Sequence, residues 1–479
     1  MTSADSSPVP ILVGGRWESD GTPLTARAAG DGRVIGHTFE ATPDQLDRAT
    51  DAAVQAFSQT RRLASFERGE MLRDIADRIL ADAEGLAATL AAEIGKPIGD
   101  ARLEVRRTAG AFRMAGEEAE RIGGEVMPLD LLPTSRGRWG ITRQMPLGPI
   151  AAISPFNVPL SLSAHKVAPA LAAGCTVVLK PDSRAALTLL RLAGLIVEAG
   201  VPAGAVSVLP MSTEVGDRMV TDDRFRMVSF TGSVQAGWDI RSRAGTKKVA
   251  LELGGNAPVI VDETADVAHA AARTVAAGFK YAGQLCISAQ RVFVHRAVAT
   301  EFVDALTKGA AALKVGDPLD ETTQVGPMIS VDAADRIRSW IDEAVQGGAR
   351  LLTGGEGSGA FVTPAVLDQV PDTAQLSCQE AFGPVVVVNT FDDLDAAFAA
   401  ADGTPYGLQA GYFTRDLHRA WRAYEQLEFG TVVINDAPAF RVDSMPFGGV
   451  KKSGLGREGI RWAIADMTEP RLLVLTPEA

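Results

Sequence analysis

The alternation of segment types between residues 149 and 255 narrows the fold most. Short runs rich in β-branched and apolar residues recur there: Pro149-Ile150-Ala151-Ala152-Ile153-Ser154, Thr176-Val177-Val178-Leu179-Lys180, Ala205-Val206-Ser207-Val208-Leu209 and Arg226-Met227-Val228-Ser229-Phe230. Helical stretches, 160 to 173 and 186 to 198, stand between them. Parallel neighbours need a crossover of about a dozen residues or more, which a helix supplies. The pattern therefore predicts βα crossovers and an α/β fold with a parallel sheet. A second such unit follows Glu252, with strands at Ala257-Pro258-Val259-Ile260-Val261 and Arg291-Val292-Phe293-Val294 around a helix from Asp266 to Phe279.

Upstream, residues 42 to 58, 66 to 98 and 100 to 122 read as alanine-rich helices. Thr42 is a cap candidate with Pro43 at the first helical position, and Leu72, Ile75, Ile79 and Leu80 form an apolar stripe. Such stripes need a surface to bury against. The register changes at Gly123. Gly124 to Pro128 and Trp139 to Gln144 look like two strands joined by a loop, either an assembly element or a plain surface hairpin. The segment Arg471-Leu472-Leu473-Val474-Leu475 reads as a strand that leaves the body to pair elsewhere. At roughly 150 residues per domain, 479 residues make about three units or one large α/β body with an insertion.

Composition excludes several function classes. The net charge of −12 opposes nucleic acid and anionic membrane, whose binding needs a positive field. With 46% hydrophobic and 22% charged residues the chain is neither disordered nor fibrous. Three cysteines (Cys175, Cys286 and Cys378) make no disulfide framework and point to a reducing, cytoplasmic setting. Five scattered histidines form no metal cluster with them, so no metal is expected. Met1-Thr2-Ser3-Ala4-Asp5 lacks a secretion-signal pattern, and no apolar run is long enough to span a membrane.

Four local patterns carry chemistry. Cys286, in Gly283-Gln284-Leu285-Cys286-Ile287, sits on a small-residue turn between a helix and a strand, where a thiol can be exposed as a nucleophile, although a buried core thiol is the commonest fate of a cysteine. Glu252, between Leu251 and Leu253 before Gly254-Gly255, is placed to activate water if burial raises its pKa, or else faces solvent at a strand end. The Asn157 amide can donate to an oxyanion or simply fill a turn between Pro155 and Pro159. Phe230-Thr231-Gly232-Ser233-Val234-Gln235-Ala236-Gly237 follows a strand and opens a helix, which suits phosphate oxygens, although a simple turn looks the same.

Taken in order, these patterns resemble a known family. The landmarks are Pro155-Phe156-Asn157, Lys180-Pro181, Phe230-Thr231-Gly232-Ser233, Leu251-Glu252-Leu253-Gly254-Gly255, Gly283-Gln284-Leu285-Cys286, Glu380-Ala381-Phe382-Gly383-Pro384 and Pro446-Phe447-Gly448-Gly449. Over nearly its full length the chain resembles the aldehyde dehydrogenase superfamily, in its oxidising, non-acylating branch. Arg441-Val442-Asp443 is similar to the lactaldehyde and semialdehyde branches.

The resemblance implies NAD(P)-dependent oxidation of an aldehyde to its carboxylic acid. Cys286 would form a thiohemiacetal and then a thioester, Asn157 and the Cys286 N–H would hold the oxyanion, and Glu252 would activate the hydrolytic water. Phe156, Lys180, Ser183, Gly232, Ser233, Glu380 and Phe382 would bind the cofactor, with Lys180 and Glu380 on the two riboses. Ser183 stands where many NAD-preferring relatives carry a glutamate that repels a 2′-phosphate, so NAD or NADP is expected with a lean to NADP. Ser161, His165, Leu285, Ile287, Phe440 and Arg441 would line the substrate pocket. Leu285 replaces the arginine that phosphorylated-aldehyde branches place beside the nucleophile, and Arg441 leaves room for a carboxylated or hydroxylated aldehyde.

The implied architecture has a Rossmann-like cofactor domain (1–123 and 144–251) and an α/β catalytic domain (252–435). A β-hairpin and C-terminal oligomerisation element (124–143 and 460–479) and a bridging segment (436–459) complete it. The implied partner beyond the aldehyde is a second copy, in a homodimer or homotetramer. A coenzyme-A-acylating relative is disfavoured by Glu252, and a catalytically silent member of the fold by the joint presence of Cys286, Glu252, Asn157, Lys180 and Glu380.

Overall fold

The computed structural model describes residues 7–476, so the N-terminal pentapeptide lies outside the described residues. Four sheets organise the chain. In the first, eight strands run in the order Gly454–Leu455, Lys248–Glu252, Met227–Thr231, Pro149–Ile153, Thr176–Lys180, Val206–Val208, Ile11–Val13 and Arg16–Glu18. The five strands from Lys248–Glu252 to Val206–Val208 are parallel. Their apolar side chains are buried on both faces, as the continuous hydrophobic runs require. The second sheet has seven strands ordered Arg350–Thr353, Ala365–Asp368, Val385–Phe391, Ala289–His295, Ala257–Val261, Gln409–Phe413 and Thr431–Ile434. Only its first pairing is antiparallel. The strands Thr22–Arg27 and Val34–Glu40 form a separate two-stranded sheet.

Of the N-terminal helices, Pro43–Thr60 packs on the first sheet, while Ser65–Ala81 and Ile98–Ala119 pack on each other and on the helix Pro159–Ala173. Pro43–Thr60 starts with a reciprocal cap: Thr42 Oγ1 accepts the Gln45 N–H at 3.2 Å, and Gln45 Oε1 accepts the Thr42 N–H at 2.8 Å. Leu72, Ile75 and Ile79 of Ser65–Ala81 are fully buried against Ile98–Ala119. Burial of side chains this size contributes about 1.5–3 kcal/mol each. The two helices approach so closely that a Cβ on Gly116 would stand 2.9 Å from the Gly69 carbonyl oxygen. Leu80, read as part of the stripe, is 44% exposed because the helix ends at Ala81 with that position turned outward.

The expected hairpin is present as Val126–Pro128 and Trp139–Pro146. The C-terminal strand leaves the body and pairs with this hairpin. Thr468–Leu475 folds back antiparallel onto Trp139–Pro146 of its own chain, from Thr468 opposite Pro146 to Leu475 opposite Trp139. The preceding helix Ile460–Asp466 packs on the helix Pro159–Ala173 rather than on the hairpin, burying Ile460 and Ile464. Thr468–Leu475 is an outer strand of this three-stranded sheet.

Candidate active site

Five of the site residues arise from one geometric fact. The C-terminal ends of neighbouring parallel strands open on the same side, the side where α/β folds bind ligands. Asn157 follows Pro149–Ile153, Lys180 ends Thr176–Lys180, Gly232 and Ser233 follow Met227–Thr231, and Glu252 ends Lys248–Glu252. All of them line a cleft of about 570 Å³ together with Phe156, Cys286, Glu380 and Phe382. Cys286, Glu380 and Phe382 come from the second α/β unit.

The loop before Cys286 is wound tightly. Tyr281, Ala282 and Gly283 have φ of 49°, 52° and 68°, three consecutive left-handed residues. Such conformations cost about 1–3 kcal/mol each in non-glycine residues and persist only where the surroundings enforce them. The enforcement is visible: Tyr281 Oη donates to the Ile94 carbonyl at 2.7 Å, and a Cβ at Gly283 would overlap the Gly383 carbonyl. The wound turn delivers Cys286, half-buried, to the cleft. Burial first, then the Glu380 carboxylate, pushes its thiol up to about 12, with Arg441 opposing.

Asn157 is buried, and its Nδ2 donates to the Gln284 carbonyl at 2.9 Å. That bond fixes the amide next to the nucleophile loop and uses one of its two N–H groups. Glu252 is buried with Oε2 unpartnered. Burial, then the nearby Glu458 carboxylate, raises its pKa well above the usual carboxylate range against Arg441, Lys166 and Arg457. Glu458 itself stays ionised. Burial works against its charge, but Lys166 Nζ at 3.2 Å and Arg441 Nη2 at 3.0 Å hold it down at about 2.

On the cofactor side, Glu380 Oε1 accepts a single N–H, from Gly255 at 3.1 Å. Burial raises its carboxyl to about 7, with that bond and Arg336 opposing. A carboxylate with so few donors suits sugar hydroxyls. Ser233 caps the ten-residue helix Val234–Arg243, accepting the Ala236 N–H at 3.3 Å, and so sets a helix N-terminus against the cleft. Phe156 meets Phe382 edge-on at 6.0 Å and lies under the Arg184 guanidinium at 4.3 Å. Lys180 is pulled down by burial, with Asp182 and Glu40 opposing. Ser183 does not line the cleft; its Oγ donates to Glu40 Oε1 at 2.7 Å. A carboxylate therefore stands beside Ser183 after all, delivered from the strand Val34–Glu40.

None of the six substrate-pocket residues lines this cleft. Ser161 faces the helix Ile98–Ala119, 3.3 Å from Thr108 Oγ1. Ile287 is buried with Leu408 and Phe447, while Cys286 packs on the same group. Leu285 packs on the first core, and Phe440 is exposed. Arg441 stacks at 3.9 Å on the Phe447 ring. His165 Nε2 lies 3.0 Å from Asp443 Oδ1, which also accepts from Arg107 Nη2 at 2.6 Å. Burial, then Arg441, lowers the His165 pKa and keeps the ring neutral, with Asp443 opposing. Lys166, Glu458, Arg107 and Glu40 were not singled out in the sequence. Lys166 alone left a signal, as the one ammonium in the otherwise buried helix Pro159–Ala173.

Comparison with known proteins shows the family. The sequence profile of the Aldehyde dehydrogenase family matches residues 17–473. The chain belongs to the aldehyde dehydrogenase family. It is 42% identical over 466 residues to a 3-sulfolactaldehyde dehydrogenase of Priestia aryabhattai, covering 97% of each chain. The crystal structure of aldehyde dehydrogenase 21 from Physcomitrella patens in complex with the reaction product succinate superposes with a TM-score of 0.96, at 42% identity and 99% coverage of both chains. An NADP-dependent glyceraldehyde-3-phosphate dehydrogenase from Bacillus halodurans, complexed with NADP, gives a TM-score of 0.95 at 34% identity, covering 98% of this chain and 99% of that one. The activity is accordingly that of the family, NAD(P)-dependent oxidation of an aldehyde to its acid.

Proposed function

We propose that the substrate is a short aldehyde with an anionic tail, a carboxylate or sulfonate, and that Cys286, Asn157 and Glu252 carry the chemistry. The observation behind the substrate class is the ionic cluster beside the nucleophile. Arg107, Lys166 and Arg441 gather around Asp443 and Glu458, leaving one positive charge in excess with His165 neutral. Leu285 leaves no arginine next to Cys286 in the chain, while Arg107, from the helix Ile98–Ala119, joins the ionic cluster through Asp443. The sulfonated substrate of the Priestia relative and the succinate product in the moss relative have the same tail chemistry.

In this reading the Cys286 sulfur adds to the aldehyde carbon while the Asn157 side chain and the Cys286 N–H stabilise the oxygen anion. Lys180, Ser233 and Glu380 would hold a dinucleotide, which would supply the hydride acceptor. Glu252 then accepts a proton from water as it attacks the thioester, and the acid and the free thiol result. Burial and Glu458 raise the proton affinity of Glu252, the direction such a base needs. Ser183 admits NADP, and Glu40 tempers that preference. The chain divides into the cofactor-binding, catalytic, assembly and bridging segments set out above.

A second copy is the partner for the outer edge of Thr468–Leu475, which exposes Leu472, Leu473, Val474 and Leu475; uncovered apolar edges favour strand pairing. Three free cysteines suit the cytoplasm.

The test is a panel of propanal, lactaldehyde and succinic semialdehyde, read at 340 nm with wild type and Arg107→Gln. Succinic semialdehyde should be preferred. Arg107→Gln should lower its kcat/KM by about 10–100-fold, the value of one hydrogen bond between charged groups, and leave propanal nearly unchanged. An equal loss for both aldehydes would refute the anionic-tail reading.

A further inference from the structure

A second cavity, of about 550 Å³, lies far along the chain from the catalytic loop, where the segment 61–65 meets the base of the hairpin. Its lining includes Arg61, Arg62, Arg68 and Arg143 and no aspartate or glutamate. Other arginines of the same helical layer, such as Arg48, Arg73, Arg78 and Arg121, each hold a carboxylate. Among the described residues none of these four does, in a chain whose net charge is −12.

Arg68 is the least expected of them. It is 9% exposed, its Nε is buried without a partner, and its single side-chain bond is from Nη2 to Ser65 Oγ at 3.2 Å. A buried guanidinium left so under-satisfied is costly unless something supplies acceptors. Across the hairpin sheet Arg143 stands directly opposite Arg471, a like-charge pairing that costs stability by itself.

The backbone contributes at both signs. The helix Ser65–Ala81 begins at the cavity with Ala64 in the cap position, which has no side-chain oxygen to offer the first N–H groups. Glu67, the nearby carboxylate, is turned back to the Ala64 N–H at 2.6 Å and does not line the cavity. Two helix C-termini also end here, at Thr60 and Ala173. Each carries about half a negative charge, and together with the Glu67 carboxylate they offset roughly two of the four arginines and leave about two.

We propose that this cavity binds a phosphate-bearing anion, held by Arg61, Arg62, Arg68 and Arg143 with the N-terminus of the helix Ser65–Ala81. Guanidinium forks and bare helix N–H groups are the donors that match phosphate oxygens. The volume admits a small phosphate ester as well as a free inorganic anion. The site would tie the helical layer to the assembly hairpin, apart from the dinucleotide cleft.

The test is calorimetric titration of the full-length protein, saturated with NADP so that the dinucleotide cleft is filled, at fixed ionic strength. The probes are inorganic phosphate, pyrophosphate and glucose 6-phosphate. Saturable binding of at least one, about one per chain, is expected. The double variant Arg62→Gln/Arg143→Gln should weaken it by at least about tenfold. NADP affinity and turnover should stay unchanged. Binding by glucose 6-phosphate identifies the source as an ester; binding by the inorganic probes alone identifies a free anion. Absence of saturable binding with all three, or equal affinity in the double variant, would overturn the proposal.

Discussion

Replacing Asn157 by Ala tests how the nucleophile loop and the oxyanion donor are coupled. The Asn157 amide has two N–H groups, and one is committed to the Gln284 carbonyl at 2.9 Å. The other is free for the oxygen of the substrate. Losing one oxyanion donor costs about 2.7–4 kcal/mol of transition-state stabilisation, a fall of about 10²–10³ in kcat. The ground state loses one neutral hydrogen bond, about 1 kcal/mol of stability. Steady-state kinetics with a good aldehyde should therefore show kcat collapse with KM little changed. The alkylation rate of Cys286 by iodoacetamide should stay near wild type, because the left-handed turn at Tyr281 to Gly283 is held by Tyr281 and Gly383 rather than by Asn157. A kcat within about threefold of wild type would refute the oxyanion role, since that is far below the value of one such donor. Loss of alkylation in parallel with kcat would show instead that Asn157 acts by holding the loop.

Three further outcomes follow from the same geometry. With its thiol pushed up to about 12, Cys286 without cofactor should alkylate faster with each step in pH from 7 to 9, and a plateau near neutrality would refute that environment. Glu93 is fully buried without a cation, and burial lifts its carboxyl from 4.5 to about 7 despite donors on Thr188 and Leu187. Its folded pKa lies above the unfolded one, so stability present below pH 4.5 is lost as pH rises through 7, by at most about 3 kcal/mol. The thermal midpoint of Glu93→Gln relative to wild type should therefore climb between pH 5 and 8, and a flat or falling difference would contradict the burial argument. Glu40→Gln removes the carboxylate beside Ser183 and should raise the NADP-to-NAD ratio of kcat/KM several-fold; an unchanged ratio would show that Glu40 does not face the ribose.

The sequence alone determined the α/β class, the two strand-helix units and the hairpin, and it singled out Cys286, Glu252 and Asn157 by local pattern and Lys180 and Glu380 by family resemblance. These were legible because each rests on local order: apolar runs set strands, Thr42 and Pro43 start a helix, and the glycine-flanked motifs keep their spacing. The sequence did not show where the C-terminal strand pairs, because strand register depends on a partner more than 300 residues away. Nor did it show that Arg107 and His165 share the Asp443 carboxylate, or that Lys166 and Arg441 close on Glu458, since those groups come from separate parts of the chain. Glu40 facing Ser183 and the arginines around Arg68 belong to the same category. Local propensity is a property of neighbouring residues. Proton affinity and charge balance are set by whatever the fold packs within a few ångströms, and only the tertiary structure decides that.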